Sequence, residues 1–202
     1  MSWSRSVLVN DDTIRIYDAK AEDYARMVEG VRDTSEDKFM AEMTPGGTIL
    51  DLGCGPGHAA KAMAAAGFVV TAVDGSAEMV RLASKIDGIT ARQARFDEID
   101  EVDAYDGIWA SFSLLHAPRA DFPAHLAALK RAMRPGGLLF LGMKIGDGEK
   151  VDSLGRFYSY YSEEDLVTLL EEAGFAVTWT RIKMVKGLAG EPEPSISVFA
   201  RG

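Results

Sequence analysis

Short apolar runs closed by glycine or an acidic residue alternate along this chain with stretches whose apolar residues recur at helical spacing. Thr48-Ile-Leu-Asp-Leu52 is such a run and predicts a buried strand; Phe68–Val73, closed by Asp74, predicts a second. Ile89–Ala94, Tyr105–Ala110, Leu138–Leu141 and Phe175–Ile182 predict the third to sixth strands, and Ser195–Ala200 a seventh. Helices fill the intervals. The alanine-rich stretch Gly57–Ala66 is stopped by Gly67; Ser76 caps a helix running to about Ile86, with Glu78 in its positive first turn. Asp121 is placed to cap a helix whose apolar stripe is Phe122, Leu126, Leu129 and Met133, ended by Arg134-Pro-Gly-Gly137. Ser162-Glu-Glu-Asp165 opens another that reaches Ala173 before Gly174 stops it. Ahead of the first strand, Tyr24, Met27, Val28, Val31, Phe39, Met40 and Met43 predict one or two amphipathic helices between Ala19 and Met43, stopped by Thr44-Pro-Gly-Gly47.

Strands alternating with helices imply a mostly parallel sheet with helices on both faces, because parallel neighbours need helical crossovers. Only the loop Gly187–Pro194 separates the last two strands, so the last is expected to be antiparallel. The fold class is therefore α/β and Rossmann-like, with seven strands. At 202 residues the chain is expected to form a single domain, 1–202, in which residues 1–44 are a helical N-terminal segment.

Charge and composition narrow the partners. A formal charge of -9 repels polyanions, and no run of Lys or Arg interrupts it, so nucleic acid is an unfavourable partner. The lone Cys54 rules out an internal disulfide framework and fits a reducing compartment. No apolar run approaches bilayer-spanning length and Met1-Ser-Trp-Ser-Arg-Ser6 lacks the plan of a signal peptide, so a soluble, cytoplasmic protein with no membrane partner is expected, as monomer or homodimer.

In an open parallel sheet, ligands bind beyond the carboxyl ends of the strands at the switch point, where Asp51-Leu-Gly53-Cys54-Gly55-Pro-Gly57 falls. Glycines there let the backbone approach a ligand closely, and the next helix presents free N–H groups; a plain strand-to-helix turn is the simpler alternative. A dinucleotide fingerprint would place glycine where His58 stands, and Asp51 would repel a pyrophosphate while attracting an ammonium group. Asp74, at the end of the second strand, is placed to accept ribose hydroxyls or to serve the helix start beside Ser76.

Ile49-Leu-Asp-Leu-Gly-Cys-Gly-Pro-Gly57 with Val73-Asp74 resembles the first two motifs of class I S-adenosylmethionine-dependent methyltransferases. Tyr105-Asp-Gly-Ile108, Arg134-Pro-Gly-Gly137 and Glu172-Ala-Gly-Phe175 are similar to the family's fourth strand, its turn before strand five and its entry to strand six, so the resemblance runs from Ile49 to the end. It implies S-adenosylmethionine as cofactor, S-adenosylhomocysteine as product, and a small-molecule methyl acceptor, in the manner of tellurite-resistance and quinone-pathway enzymes. Carried over, Gly53 and Gly55 approach the amino-acid end of the ligand, Asp51 supports its ammonium, Asp74 takes the ribose and Met79 packs near the adenine. Cys54, Gly57, Gly75, Arg95, Phe96 and Ser111 complete the implied cofactor set, with Tyr17 and Tyr24 from a leading helix that acts as a lid or simply packs. The acid that relatives carry after the third strand is missing near Ala94-Arg95-Phe96, leaving adenine to Phe96 and backbone.

The segment Ser111-Phe-Ser-Leu-Leu-His116-Ala-Pro118 faces the methyl group in this family and is unlike the Asn-Pro-Pro-Tyr sequence of nucleobase enzymes. His116 is its only ionisable residue and stands either as a base or substrate contact, or as a loop histidine. Arg156-Phe-Tyr158-Ser-Tyr160-Tyr161 falls where relatives place acceptor loops; its rings line an acceptor pocket or pack beneath the helix at Ser162. No spacing suggests a metal site. A protein that binds S-adenosylmethionine without catalysis remains the main alternative, with a nicotinamide-dependent oxidoreductase behind it.

Overall fold

The computed structural model describes residues 5–30, 34–186 and 192–202, with side chains from residue 11 onward. Helices α1 (Arg5–Val28) and α2 (Thr34–Glu42) precede strand β1 (Thr48–Leu52), α3 (His58–Ala65), β2 (Val69–Asp74), α4 (Ala77–Ala83) and β3 (Ile89–Gln93). The second half holds β4 (Tyr105–Ser111), α5 (Phe122–Ala132), β5 (Met133–Lys144), a hairpin of β6 (Glu149–Val151) and β7 (Phe157–Ser159), α6 (Glu163–Glu172), β8 (Ala176–Lys186) and β9 (Pro192–Arg201). Seven strands form one sheet in the order β3-β2-β1-β4-β5-β9-β8, parallel except for β9, which runs antiparallel to both neighbours. The expected α/β architecture is the observed one. The chain steps outward from β1 through β2 to β3, then returns to β4 on the other side of β1, which opens a crevice beyond the carboxyl ends of β1 and β4.

Period-two alternation sorts side chains between two cores. Leu50 and Leu52 join Ile108, Ala110, Leu139 and Leu141 under α5 and α6, whose Phe122, Leu126, Leu129, Leu166 and Leu170 are fully buried. Ile49 points the other way, with Trp109, Phe140 and Phe199, against Phe39 of α2, Met43 just past its end, and Ala60 and Met63 of α3; the Trp109 and Phe140 rings stack at 3.8 Å. Asp51 shares the parity of Ile49 and is only 2% exposed.

The caps follow the expected chemistry in part. Ser76 and Ser162 accept from the N–H of Met79 and Asp165 at 3.1 and 3.0 Å. Asp121 holds the N-cap position of α5 but its side chain makes no capping bond, since Pro123 already removes one of the donors. α4 ends at Ala83, three residues short of Ile86, and Met133 belongs to β5 instead of the helical stripe. The turn Arg134–Gly137 loops out between the register pairs Tyr105–Met133 and Gly107–Leu138. The largest correction is α1, which begins at Arg5 and not at Ala19. Its inward residues, Thr13, Tyr17, Ala21 and Tyr24, repeat at helical spacing, but they face a cleft instead of a core and so carry little hydrophobic signal. Val31, read with these helices, lies outside the described residues.

One carboxylate ties the amino ends of β1 and β4 to this turn. Asp106 Oδ2 accepts from Thr48 N at 2.7 Å, Thr48 Oγ1 at 2.9 Å and Arg134 Nη1 at 2.8 Å. Asp106→Ala is expected to lower stability by about 2 kcal/mol in a denaturant titration while leaving ligand affinity intact, because the cluster sits at the opposite end of the sheet from the crevice.

Candidate functional site

The loop after β1 is shaped by backbone geometry. Gly53 has φ +70°, and a Cβ there would run into the side chain of Ser113; Gly57 has φ +87°, and its Cβ would stand 2.8 Å from Ile86 Cδ1. The N–H groups of Gly53 and Cys54 both donate to Val73 O, at 2.7 and 3.0 Å, folding the loop onto β2. Asp74 continues this: its Oδ2 accepts from Gly55 N at 2.9 Å and its Oδ1 from Ser76 N at 2.8 Å. Burial pushes the Asp74 carboxyl above the usual carboxylate range, against the pull of these N–H groups.

Two confluent cavities open here. The first spans about 730 Å³ including its solvent-open side and is lined by Tyr17, Tyr24, Gly53, Gly55, Asp74, Gly75, Met79, Arg95, Phe96 and Ser111, ten of the thirteen residues expected at a cofactor. Asp51 and Cys54 line the second cavity, of about 1520 Å³. Gly57 lines neither; it starts α3 and lets that helix pack against Ala83. Sequence reasoning missed Thr13 and Ile14 in the first cavity; Ala94, Phe112 and Ser113 also line it, from segments expected near the adenine and the methyl group. Thr13 and Ile14 became visible only with the early start of α1, and Phe112 carries the strained φ of +54° that turns the chain out of β4.

Asp51 is the electrostatic centre of the second cavity's inner end. Its Oδ2 is buried and finds no hydrogen-bond partner among the described residues. Burial raises its pKa to about 7; His58 opposes the rise, and Asp74 and Glu36 add to it. His58 lies 3.5 Å from the buried Glu36. A buried carboxylate with an open oxygen and acidic neighbours is a site for a cationic group with N–H donors. An ammonium group fits it. Burial also pushes the Cys54 thiol up, so it stays protonated and inert.

At the mouth shared by both cavities, His116 is fixed through both ring nitrogens. Nδ1 lies 2.6 Å from the carbonyl of Phe157, which can only accept, so Nδ1 carries the proton. Nε2 therefore accepts, and its donor is the Tyr17 hydroxyl at 2.9 Å. Arg156 Nη1 donates to that hydroxyl at 3.1 Å, while its Nε and Nη2 donate to Asp152 Oδ2 at 3.0 and 2.6 Å. Burial drops the His116 pKa to about 4, against the Phe157 carbonyl.

The aromatic segment at 156–161 is not a loop: Phe157–Ser159 is a buried strand paired with the exposed Glu149–Val151, and its Ser159 Oγ donates to Ala117 O at 2.6 Å. Arg156 and Tyr158 line the second cavity with His116, as expected of acceptor residues. Tyr160 and Tyr161 line neither cavity. The Tyr160 hydroxyl donates to Glu193 at 3.2 Å, and Tyr161 packs between Phe122 and Arg119, with separations of 4.9 and 4.3 Å.

α1 closes over the first cavity. Asp18 Oδ1 accepts from Ser76 Oγ at 2.6 Å and Glu78 N at 3.2 Å, Thr13 Oγ1 accepts from Phe157 N at 3.0 Å, and Asp11 pairs with Arg95.

Known proteins agree with this architecture. Residues 24–179 match the family described as "Methyltransferase domain". The chain is 31% identical over 166 residues to O-methyltransferase cnsE of Penicillium expansum, covering 74% of this chain and 59% of that one. It is 33% identical over 104 residues to the ubiquinone biosynthesis O-methyltransferase of Xanthomonas campestris, covering 48% of this chain and 43% of the relative. It thus spans about half the length of these relatives. The 1,6-didemethyltoxoflavin-N1-methyltransferase of Burkholderia thailandensis, solved with 1,6-didemethyltoxoflavin and S-adenosylhomocysteine, superposes with a TM-score of 0.78 at 19% identity, covering 100% of this chain and 92% of that one. With the glycine loop, the acid after β2 and the sheet order all in place, the chain belongs to the methyltransferase-domain family of class I S-adenosylmethionine-dependent methyltransferases.

Proposed function

We propose that this chain transfers the methyl group of S-adenosylmethionine to a small-molecule acceptor. The observation that carries the reading is the buried, partnerless Oδ2 of Asp51 beside a loop that only glycine can form. Gly53 and Gly55 admit the amino-acid end of the ligand, Asp51 takes its ammonium, and Asp74 faces the ribose. Met79 and Phe96 flank the base, and Tyr17 and Tyr24 close over it from α1, so that residues 1–44 act as the lid of a single domain. When bound, the cofactor supplies an electrophilic methyl carbon on a sulfonium, open to in-line displacement.

The chain's own part is alignment and proton handling. The acceptor lies in the second cavity, against Tyr158 and Arg156, with its nucleophilic atom toward Tyr17 and His116. A proton released by the acceptor passes to Tyr17 Oη as that hydroxyl's own proton moves to His116 Nε2, the only lone pair on the ring. The reading extends to a cytoplasmic monomer or homodimer with no nucleic-acid or membrane partner. A charge of -9 supports the first exclusion, and among the described residues no helix is long and apolar enough to cross a membrane.

Calorimetric titration with S-adenosylmethionine, S-adenosylhomocysteine and NAD tests it. The first two are expected to bind at about micromolar Kd, about −8 kcal/mol, and NAD far more weakly. NAD binding alone would sink the proposal. Tight S-adenosylmethionine binding with no labelled methyl reaching any acceptor would favour a binding protein without catalysis.

A further inference from the structure

We propose that the methyl acceptor is a flat acid: an aromatic body that carries a carboxylate or phosphate in addition to the atom methylated, with that oxyanion held on a cationic wall of the second cavity. The inference rests on the methyl-transfer reading and deepens it. Carboxylates outnumber Lys and Arg by 31 to 22 in the whole chain, so its mean field repels anions. Inside this cavity the balance reverses: Lys144, Arg156, Lys183 and Lys186 line it against Glu36 and Asp51. The two signs are also separated. Glu36 and Asp51 belong to α2 and β1 at the cofactor end, whereas the four cations come from β5, the residue preceding β7, and β8.

Two of the cations are deeply placed, Lys144 with a side chain 13% exposed and Arg156 with one 3% exposed. Burying a cation costs desolvation that a methionine or leucine of similar size would avoid. Lys144 is steadied by Glu193 and Arg156 by Asp152. Both reach the same ring: Lys144 Nζ stands 4.0 Å and Arg156 Cζ 5.2 Å from the centre of Tyr158, which is itself 4.6 Å from His116. An acceptor lying beside Tyr158 in this cavity therefore meets both cations while its reacting atom faces Tyr17 and His116. Trp109 and Phe112 supply apolar wall for a flat body.

Benzoate and benzamide are nearly isosteric and separate charge from shape, and phenyl phosphate tests the larger tetrahedral oxyanion. Each would be titrated into the free protein and into protein saturated with S-adenosylhomocysteine, at two ionic strengths. At least one anion is expected to bind about tenfold tighter than benzamide, with the margin shrinking as salt rises. The tighter anion identifies the group. Lys183→Gln, on an outer strand, and Lys144→Met are each expected to cut the anion's advantage several-fold while leaving S-adenosylhomocysteine affinity unchanged; a thermal melt confirms that each folds. Equal binding of benzamide, or an anion preference that survives both substitutions, overturns the proposal. Failure of S-adenosylhomocysteine to bind would count against the cofactor reading alone, because the free protein still reports on the anion site.

Discussion

Asp51→Asn is expected to make the ligand-free protein more stable and at the same time to weaken S-adenosylhomocysteine binding by about tenfold to a hundredfold. The two effects have one cause. Asp51 is buried among Glu36, Asp74 and the start of α3, and its Oδ2 has no partner until a cation arrives. Burial pushes its pKa up to about 7 against an ordinary 3.8, so holding it ionised at neutral pH costs the folded state on the order of 4 kcal/mol. Asparagine removes the charge and most of that cost, less the desolvation of its own amide. A side chain serving only the fold would lose stability on replacement. Thermal melts at pH 7.5 with and without S-adenosylhomocysteine separate the outcomes: a variant that melts lower and still binds normally would remove Asp51 from the ligand's ammonium.

The same site sets a pH dependence whose sign can be worked through. A carboxyl raised to about 7 keeps its proton in the folded state after the unfolded chain has lost it near 3.8, so Asp51 makes stability fall as pH climbs from about 4 to 7. His116 does the opposite. Its folded value of about 4 lies below the ordinary 6.5, so it makes stability rise over nearly the same interval. The two contributions oppose each other in the wild type, so Asp51→Asn, which removes the falling one, is expected to gain stability more steeply than the wild type as pH climbs through this interval. Ligand affinity has no such compensation. The ammonium prefers ionised Asp51, so S-adenosylhomocysteine binding strengthens by nearly tenfold per pH unit up to about 7 and then levels off, and it is flat in the variant.

Much of this was legible in the sequence because the loop's chemistry is local. A glycine at φ +70° packed on Ser113, and an acid closing β2, leave residue-type signatures within a few positions of each other. The seven strands of the sheet and the antiparallel last one followed from short apolar runs and crossover rules. What failed was set by distant partners. α1 escapes periodicity ahead of Ala19 where its described inner face, from Thr13 onward, meets a cleft, Phe157 and His116, not a hydrophobic core. Tyr160 and Tyr161 lie beside Tyr158 in sequence, yet the twist of the hairpin turns them toward Glu193 and Phe122. Asp152 drew no notice at all, since its importance exists only through Arg156, and Lys144 only through Tyr158.

Tyr17 is where lid, hairpin and histidine meet, and its hydroxyl has two duties that the phenylalanine variant separates from its ring. In Tyr17→Phe the ring still stacks edge-on to Tyr24, 5.8 Å away, and still lines the first cavity, so S-adenosylhomocysteine affinity is expected to change by no more than about threefold. Two buried groups lose their partner: His116 Nε2, which accepts at 2.9 Å, and Arg156 Nη1, which donates at 3.1 Å. Stability should drop by about 2 kcal/mol. Tyr17→Ala, which also removes the ring, should therefore lose stability as well as ligand affinity, so it cannot isolate the lid. Loss of the donor to Nε2 also withdraws support from neutral imidazole, so the His116 titration, followed by NMR of its ring, should move up from about 4. A proton-passing role predicts that methyl transfer falls by about a hundredfold or more, with its pH profile following the shifted histidine. If Tyr17 only packs, turnover will track the small loss of stability and the pH profile will stay where it was, leaving His116 to face the acceptor directly.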